Sequence, residues 1–276
     1  MLAFIYSKNH GILCYTYGYK NMKISIITAT YNDAETIEDT IKSVIGQGYP
    51  DLEHIIVNDG SMDNTPNIVR KYEGKYNIRL ISQENGGMYS AMNKGIESAS
   101  GDIIGILNSD DFYASNDVIN PVIEEFKKTG ADCVWGDLLF VDKEDTGRVL
   151  RDWKSSPYKE GNFKKGWHPP HPSFFVKKEI YEKYGLFRTD MSTWADYELM
   201  LRLLEREKIR SSYIPKILVK MREGGDSNKS IWHMVKANFG CYKAFKINGL
   251  KVSPLFIIRK PLYKLSQWFK RGNINN

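Results

Sequence analysis

The sequence predicts an α/β fold with a mostly parallel sheet flanked by helices, and three observations point to it. Short apolar runs such as "ISIIT" and "HIIV" are bounded by polar residues. Through residue 110 these runs alternate with segments of helical period. Polar side chains gather where the runs end, in "TATYND", "VNDGSMDNT" and "LNSDD". Alternating strands and helices favour a parallel sheet with ligands at the carboxyl ends of its strands.

Each element of the first half is predicted from its own pattern. Residues 23–30 are apolar and rich in isoleucine and threonine, as expected of a buried strand. Ile37, Ile41 and Val44 then fall on one face of a helix. The remaining predictions are a strand at 53–59, a helix at 63–72, a strand at 78–82, a helix at 87–99 and a strand at 102–107.

The second half alternates less clearly, and we expect it to be integrated with the first half rather than a separate domain. Residues 155–175 are dense in proline, glycine and aromatic residues, which indicates a loop. The predicted elements are helices at 115–128, 177–184 and 194–207, a strand at 131–141 and an edge strand at 212–221.

Composition limits the class of protein. The 276 residues are 42% apolar and 26% charged, a globular balance that excludes wholesale disorder. Cys14, Cys133 and Cys241 lie far apart without a CxxC spacing, which predicts a reducing compartment with neither disulfides nor a cysteine zinc site. No apolar run approaches the roughly 20 residues needed to cross a bilayer.

The two ends of the chain differ from its body. Residues 1–21 make a poor signal peptide because polar residues interrupt their apolar part, so we expect an extension outside a fold that begins at Met22. Residues 229–276 hold ten lysines and arginines and no acidic residue, whereas residues 1–228 hold 29 basic and 33 acidic residues. Such an asymmetry predicts an anionic partner for the C-terminal segment.

Asp110 and Asp111 follow an apolar run directly, and three interpretations are open. They could cap a following helix, they could be ordinary loop acids, or they could bind a divalent metal. Mg²⁺ and Mn²⁺ take one or two carboxylates and complete their shell with substrate phosphates. At the other strand ends, Asp59 could accept a hydrogen bond from a base or a ribose, and Tyr31 could stack on a base. Turn chemistry and surface packing are the alternatives for each motif alone.

Together these motifs resemble glycosyltransferase family 2. The resemblance lies in "ISIITATYNDAETIEDTIKSVIGQGYPDLEHIIVNDGSMDNT", "NGGMYSAMNKGIESASGDIIGILNSDD" and "WADYELMLRLL", and covers roughly residues 22–227. It implies a GT-A fold, a nucleotide-diphosphate sugar donor, Mg²⁺ or Mn²⁺ as cofactor, and inversion at the anomeric carbon. The resemblance is greatest to nonprocessive bacterial enzymes of exopolysaccharide, capsule and lipopolysaccharide assembly. The Gln-x-x-Arg-Trp signature of processive synthases is absent from the sequence.

By motif match, the resemblance also implies roles for single residues. Asp196 would be the general base, paired with a tyrosine in "WADYEL", and Asp111 would bind the metal. The donor-binding residues would be Thr30, Tyr31 and Asp59 at the base, usually uracil, Asp110 at the ribose, and Asn93 and Lys94 on a bordering helix. Two positions depart from the family pattern, Asn58 before Asp59 and Ala195 before Asp196.

The chemistry agrees with this assignment. An inverting transfer is a single displacement, in which the acceptor hydroxyl needs a positioned base worth about 10²–10⁴-fold in rate. The departing nucleoside diphosphate needs its developing charge offset, which a metal ion can do. The minimum set is therefore one base carboxylate and one carboxylate that bears the metal.

Two loops carry further candidates. "WHPPHPSFF" contains His168 and His171, and it is either a rigid proline-bound loop packed by aromatic rings or a loop over the donor in which His171 contacts phosphate or metal. "REGGDSN" is either a simple turn or a flap whose Arg222 meets the diphosphate.

Two other functions compete with sugar transfer. A nucleotidyltransferase should carry a glycine-rich phosphate loop after the first strand, where this chain has "TATYND". A nucleic-acid-binding protein could use the basic segment with its aromatic residues, but no such motif is present and the acidic body would repel a polyanion. We therefore expect no nucleic-acid partner.

The basic C-terminal segment has two interpretations. Its apolar residues, among them Trp232, Phe245, Phe256 and Trp268, could pack on the body while the lysines face water. Alternatively, the segment could dock on an anionic membrane, where each basic residue is worth about 1 kcal/mol. Docking would suit a glycan or polyprenyl-linked acceptor, so we expect a cytoplasmic protein, peripheral at the inner face of the cell membrane.

Overall fold

The computed structural model describes residues 22–224 and 231–257. Its strands, in chain order, are β1 (Ile24–Thr30), β2 (Leu52–Asn58), β3 (Ile78–Ser82), β4 (Ile103–Ile106), β5 (Phe112–Tyr113), β6 (Cys133–Val141), β7 (Val149–Trp153), β8 (Phe174–Lys177) and β9 (Ser211–Arg222). The helices are α1 (Ile37–Ile45), α2 (Thr65–Arg70), α3 (Met88–Ser98), α4 (Ile119–Thr129), α5 (Lys178–Tyr184), α6 (Ala195–Leu201) and α7 (Ile231–Ile247).

All nine strands belong to one sheet. Its order is β3-β2-β1-β4-β8-β6-β9-β5, with β7 paired to β6. The first four strands pair in parallel, as the alternation of strands and helices predicts. Their register places Thr30 beside Asn58 and Asn58 beside Ser82. Strand β4 pairs in parallel with β1 on its other side, with Ile106 beside Ile27. The carboxyl ends of β1, β2 and β4 therefore lie at one edge, which confirms that the polar segments after these strands come together.

The second half extends the same sheet, so its predicted integration with the first half is confirmed. Strand β8 is antiparallel to both β4 and β6 and joins the two halves. Strand β9 runs parallel to β6 along most of its length and also pairs with β5. Residues 212–221 form most of β9, as a strand was predicted there, but β9 is not an edge strand. The two-residue strand β5 pairs with its outer side and is the last strand of the sheet.

Helices cover the sheet with their apolar faces. Ile37, Ile41 and Val44 of α1 are fully or almost fully buried, as their spacing predicts. A large cluster of buried residues includes α3, α6 and the end of α7, and a second cluster includes α4. The predicted helix at 194–207 is α-helical only to Leu201 and continues as a π-helical turn, Arg202–Arg206.

The C-terminal helix α7 packs on the body. Cys241, Ala244 and Phe245 are buried in the large cluster together with Phe256. The membrane-facing interpretation is therefore wrong for Phe245 and Phe256, because the body already covers them. The rest of the predicted docking segment, 229–230 and 258–276, lies outside the described residues, as do Cys14 and the predicted extension 1–21.

Two of the three cysteines can be placed. Cys133 and Cys241 are both buried, and the absence of disulfides stays a prediction. Among the residues that the structure describes, no helix is long and apolar enough to span a membrane.

Candidate functional site

Asp33 joins the ends of β1 and β4. Its Oδ2 accepts hydrogen bonds from Thr30 Oγ1 at 2.8 Å, from the Tyr31 amide at 2.9 Å and from Ser109 Oγ at 2.6 Å. Sequence reasoning gave Asp33 no role, although it stands in the quoted motif "TATYND". Its partner Ser109 is 76 positions away, and only the fold brings the two together. Thr30 is buried and its hydroxyl is used in this contact.

A second set of contacts joins the ends of β1 and β2. The Asn32 amide donates to Ser61 Oγ at 2.9 Å, and Asn32 Oδ1 accepts the Met62 amide at 2.8 Å. Tyr31 lies beside this junction with 54% of its surface exposed. An exposed ring at this edge agrees with the predicted stacking on a base, which stays a prediction.

Asp59 organises the turn before α3. Its Oδ1 accepts Gln83 Nε2 at 2.9 Å and the Gly86 amide at 2.8 Å, while its Oδ2 accepts the Gly87 amide at 2.7 Å. The carboxylate is buried with both oxygens engaged. The predicted contact of Asp59 with a base stays a prediction. In such a contact the base would donate to oxygens that already accept hydrogen bonds from Gln83, Gly86 and Gly87.

Asn93 and Lys94 lie on α3, as expected, but each is engaged within the protein. The Asn93 amide group holds the backbone of Phe187 from both sides, donating to its carbonyl at 2.8 Å and accepting its N–H at 2.9 Å. Lys94 Nζ donates to the Ser82 carbonyl at 2.9 Å, at the end of β3. Lys94 is therefore near the edge where a donor would bind, whereas Asn93 has a structural contact.

Asp111 is fully buried at the end of the "LNSDD" turn. Its Oδ2 accepts Asn108 Nδ2 at 2.9 Å, and its Oδ1 has no hydrogen-bond partner. Burial raises the pKa of this carboxyl well above its usual range, and the adjacent Asp110 adds to the rise. The helix-cap interpretation is wrong, because strand β5 follows the pair.

Arg222 is the cation beside this turn. Its guanidinium donates to the Asp110 carbonyl at 2.7 Å and to Asp39 Oδ2 at 2.5 Å, and it lies over the ring of Phe112. Arg222 is buried and is the last residue of β9, so it is not carried on a flap. Any flap in this segment would begin after Arg222. Contact with a diphosphate would have to be made from this fixed position.

The residues at Asp111 fit a divalent cation in part. An unpartnered buried carboxylate oxygen next to a second acid is a suitable hard ligand, and Mg²⁺ needs only one or two carboxylates when phosphates complete its shell. Within the described ranges, no three His, Cys, Asp or Glu side chains are grouped to hold a metal. His171 is therefore not grouped with Asp110 and Asp111 in this structure, and its metal role stays a prediction.

Asp196 lies in the first turn of α6 and is partly exposed. The phenol of Tyr89 donates to Asp196 Oδ1 at 3.3 Å, and the charge of Asp196 reaches the buried His171. Burial lowers the pKa of His171, which the nearby carboxylate opposes. Burial and the same carboxylate raise the pKa of Tyr89 well above its usual value, so its proton is retained.

Aromatic rings pack around Tyr89, the hydrogen-bond partner of Asp196. The ring of Phe187 stacks on Tyr89, with centroids 5.5 Å apart, and meets His171 edge-on at 5.6 Å. The sequence suggested that Asp196 pairs with Tyr197, but the tyrosine that bonds to Asp196 is Tyr89. Tyr197 points into the core, with its ring 5.6 Å from Phe163 and 5.4 Å from His168.

His168 fits the structural interpretation of its loop. Its ring packs edge-on against Trp153 at 5.1 Å, and its Nδ1 lies 3.0 Å from the Pro169 carbonyl.

Comparison with known proteins identifies the family. The model of glycosyl transferase family 2 matches residues 25–185. The chain is 31% identical over 185 residues to an uncharacterized glycosyltransferase of Mycobacterium tuberculosis, covering 65% of this chain and 68% of that protein. It is 39% identical over 106 residues to the poly-beta-1,6-N-acetyl-D-glucosamine synthase of Staphylococcus epidermidis, covering 38% of this chain and 26% of the synthase. The chain belongs to glycosyltransferase family 2.

Solved structures agree on the fold. The S. aureus TarS 1–349 structure superposes with a TM-score of 0.64 at 18% identity, covering 91% of this chain and 74% of that one. The mannosyltransferase PcManGT from Pyrobaculum calidifontis, in complex with GDP-Man and Mn²⁺, gives a TM-score of 0.62 at 21% identity, covering 92% and 72%. The predicted GT-A fold is confirmed.

Proposed function

We propose that this protein transfers one sugar from a nucleotide-diphosphate sugar, UDP-linked, to a glycan or lipid-linked acceptor, with inversion and with the help of Mg²⁺ or Mn²⁺. The observation that carries the proposal is the buried Asp111 oxygen without a partner, at the sheet edge where the polar strand ends meet. In α/β sheets this edge is where ligands bind.

The relatives support the proposed donor. TarS is known in complexes with UDP and UDP-GlcNAc, and PcManGT in a complex with GDP-Man and Mn²⁺. The Staphylococcus epidermidis relative is a synthase of poly-beta-1,6-N-acetyl-D-glucosamine, a polysaccharide. This chain spans only about a quarter of that synthase, so the acceptor is inferred from chemistry rather than from likeness.

Each residue has a role in the proposed transfer. Asp196 accepts the proton of the acceptor hydroxyl as that oxygen attacks the anomeric carbon, and the bond to the nucleoside diphosphate breaks on the opposite face. Tyr89 keeps its proton and holds the Asp196 carboxylate by its hydrogen bond. Asp111 would hold the metal, which offsets the charge of the departing diphosphate. Arg222 fixes the turn that presents Asp110 and Asp111.

Nucleotide release tests the proposal. Purified protein is offered UDP- and GDP-linked sugars with candidate acceptors, with Mn²⁺ or with excess chelator. We expect release only with the metal, and a loss of orders of magnitude in Asp111→Asn, with Asp117→Asn on an exposed loop as the matched control. Direct binding of Mn²⁺ gives a second readout, weakened in Asp111→Asn alone. Near wild-type turnover of Asp111→Asn, or indifference to chelator, would contradict the role of Asp111.

The acceptor proposal includes the membrane. The exposed Lys243, Lys246 and Lys251 leave the described end of the chain basic on its outer face. This supports, for the segment from 229 onward, docking of a protein at the cytoplasmic face of an anionic membrane, where a polyprenyl-linked acceptor would be confined.

A further inference from the structure

Residues 184–187, which run from the last residue of α5 and are called the 184–187 loop here, lie close to Asp196. Phe187 at their end stacks on Tyr89, whose hydroxyl donates to Asp196, and meets His171 edge-on. Any movement of this loop would therefore change the surroundings of the carboxylate. The contacts that hold the loop in place therefore bear on the position of Asp196.

Two side chains, the buried Arg202 and the partly buried Asn93, hold the backbone of the loop. The Arg202 guanidinium donates to the carbonyls of Tyr184, Gly185 and Leu186, the last two at 3.0 and 2.7 Å. Asn93 holds Phe187 from the other side through both of its amide atoms. The loop thus has four consecutive residues fixed by hydrogen bonds from α3 and from the π-helical turn after α6.

Arg202 is itself fixed by a buried ion pair. Its Nε and Nη2 both lie 3.1 Å from the Glu198 carboxylate, and the Glu198 side chain is 1% exposed. A planar guanidinium in such a two-point pair has a defined orientation that lysine cannot reproduce. Glu198 lies on α6, two residues after Asp196, so the pair joins the helix that carries Asp196 to the 184–187 loop.

The C-terminal helix completes this network. Asn248, just after α7, is buried and donates from Nδ2 to Glu198 Oε1 at 3.0 Å and to the Ala244 carbonyl at 2.9 Å. Nearby, Gly240 of α7 lies so close to Trp194 that a Cβ there would overlap the indole ring. Trp194 is two residues before Asp196. Helix α7 therefore contacts the α6 region at two points around the base.

We propose that Arg202, Glu198 and Asn248 are positioning residues for sugar transfer, which act by holding the 184–187 loop against Tyr89 and His171. The inference rests on the proposed role of Asp196 as the base. It assigns the C-terminal helix to the catalytic body and explains why a strongly paired charge is buried there, since a misplaced group far from the chemistry can cost about 10²-fold in rate.

Two variants with matched controls test the inference. Arg202→Lys keeps the charge but loses the fork, and Arg210→Lys makes the same change at the exposed two-point pair with Asp132. Asn248→Ala is the milder variant if Arg202→Lys does not fold, and Asn77→Ala removes an exposed asparagine that donates to the Leu52 carbonyl. Amide exchange of the 184–187 peptide, kcat and donor affinity are measured in each.

We expect exchange at 184–187 to be faster by about tenfold or more in Arg202→Lys and Asn248→Ala than in the controls. We expect kcat to fall by about tenfold or more with donor affinity unchanged, because the surroundings of Asp196 and not the donor site are altered. Unchanged exchange, or faster exchange with full kcat, would overturn the inference. Wild-type protein that releases no nucleotide from any donor would overturn the proposed function instead. Faster amide exchange at 184–187 in the two variants would still show that Arg202 and Asn248 hold this loop.

Discussion

Single carboxylates in this protein differ in what surrounds them, and their surroundings predict different roles. Asp59 has both oxygens engaged by the turn before α3, and Asp33 bonds three donors. Asp111 keeps one buried oxygen without a partner, and Asp196 meets a tyrosine. The first two therefore shape the site, and the last two are left for chemistry.

Asp196→Asn should bind the donor nucleotide but fail to transfer sugar. The amide preserves the size of the side chain and the contact with Tyr89 but cannot accept a proton, so we expect kcat to fall by about 10²–10⁴-fold. Calorimetry should show a similar affinity for the nucleoside diphosphate. Asp190→Asn, at an exposed pair with Arg188, serves as the control. Loss of nucleotide binding together with transfer would place Asp196 in the donor site.

His54 should make the protein sensitive to acid. It is fully buried, Thr28 gives its hydroxyl proton to the Leu107 carbonyl, and His54 Nε2 therefore donates to Thr28 Oγ1. Burial lowers the pKa of His54 to about 3. Because the folded state then binds fewer protons than the unfolded chain, this contribution is fully present above pH 6.5 and is lost as the pH falls toward 3.

Urea unfolding of wild type and His54→Gln across this range measures the effect. Relative to the variant, the wild-type free energy of unfolding should fall by up to about 1.4 kcal/mol per pH unit below 6.5. Above about pH 7 the difference should be flat. A difference that stays constant down to pH 4 would contradict the assignment, since His54 would then not titrate.

At the scale of single elements, α3 shows that close packing can outweigh helix propensity. Gly95 lies in the middle of α3, where glycine costs about 1 kcal/mol relative to alanine. A Cβ at this position would overlap Ile27 Cγ2 of β1 and come within 3.3 Å of Val57 of β2. The missing side chain lets the helix lie directly on the first two strands.

Gly95→Ala should therefore destabilise the protein although alanine favours helices. Overpacking of this kind costs about 1–3 kcal/mol, so we expect a net loss of free energy of unfolding. Ser98→Ala, one turn further along α3, is the control and should change stability by less than about 0.5 kcal/mol. Thermal and urea unfolding of both variants provide the measurement. A more stable Gly95→Ala variant would show that α3 can move off the sheet.

At the scale of the whole molecule, the C-terminal helix belongs to the folded body. Removing everything after Asn228 would expose the surface now covered by Phe245 and Phe256, which are 5.2 Å apart at their ring centroids. Each buried phenylalanine contributes about 1.5–3 kcal/mol. We expect that truncated protein to melt well below wild type, and a chain ending at Ile257 to melt close to it. Equal melting of the two truncated proteins would contradict this.

The chain ending at Ile257 also isolates the proposed membrane contact. It lacks five of the ten basic residues that follow Asn228, and each is worth about 1 kcal/mol near an anionic surface. Full-length protein should sediment with anionic liposomes and not with neutral ones, and the shortened chain should bind more weakly. Equal, negligible binding to both liposomes, or undiminished binding of the shortened chain, would contradict docking.

The sequence by itself determined the elements and the edge where the site lies. Apolar periodicity indicated the strands and helices of the first half, because burial on a strand or helix repeats at a fixed spacing. The alternation of those elements predicted parallel pairing, and parallel pairing brings the strand ends together. The sequence therefore predicted that the polar strand ends share one edge, whereas the strand order that places Thr30 beside Asn58 came from the structure.

Only the tertiary structure decided which distant side chains meet. Tyr89 and Asp196 are 107 positions apart, and Asn248 is 50 positions from Glu198. Whether such pairs form depends on how strands cross over and how helices pack, which no local pattern encodes. The same holds for Arg222, whose fixed place under Asp110 follows from the pairing of β9 with β5 and β6. Arg222, which the sequence placed in a loop, is thus a buried partner of the turn that carries Asp110 and Asp111.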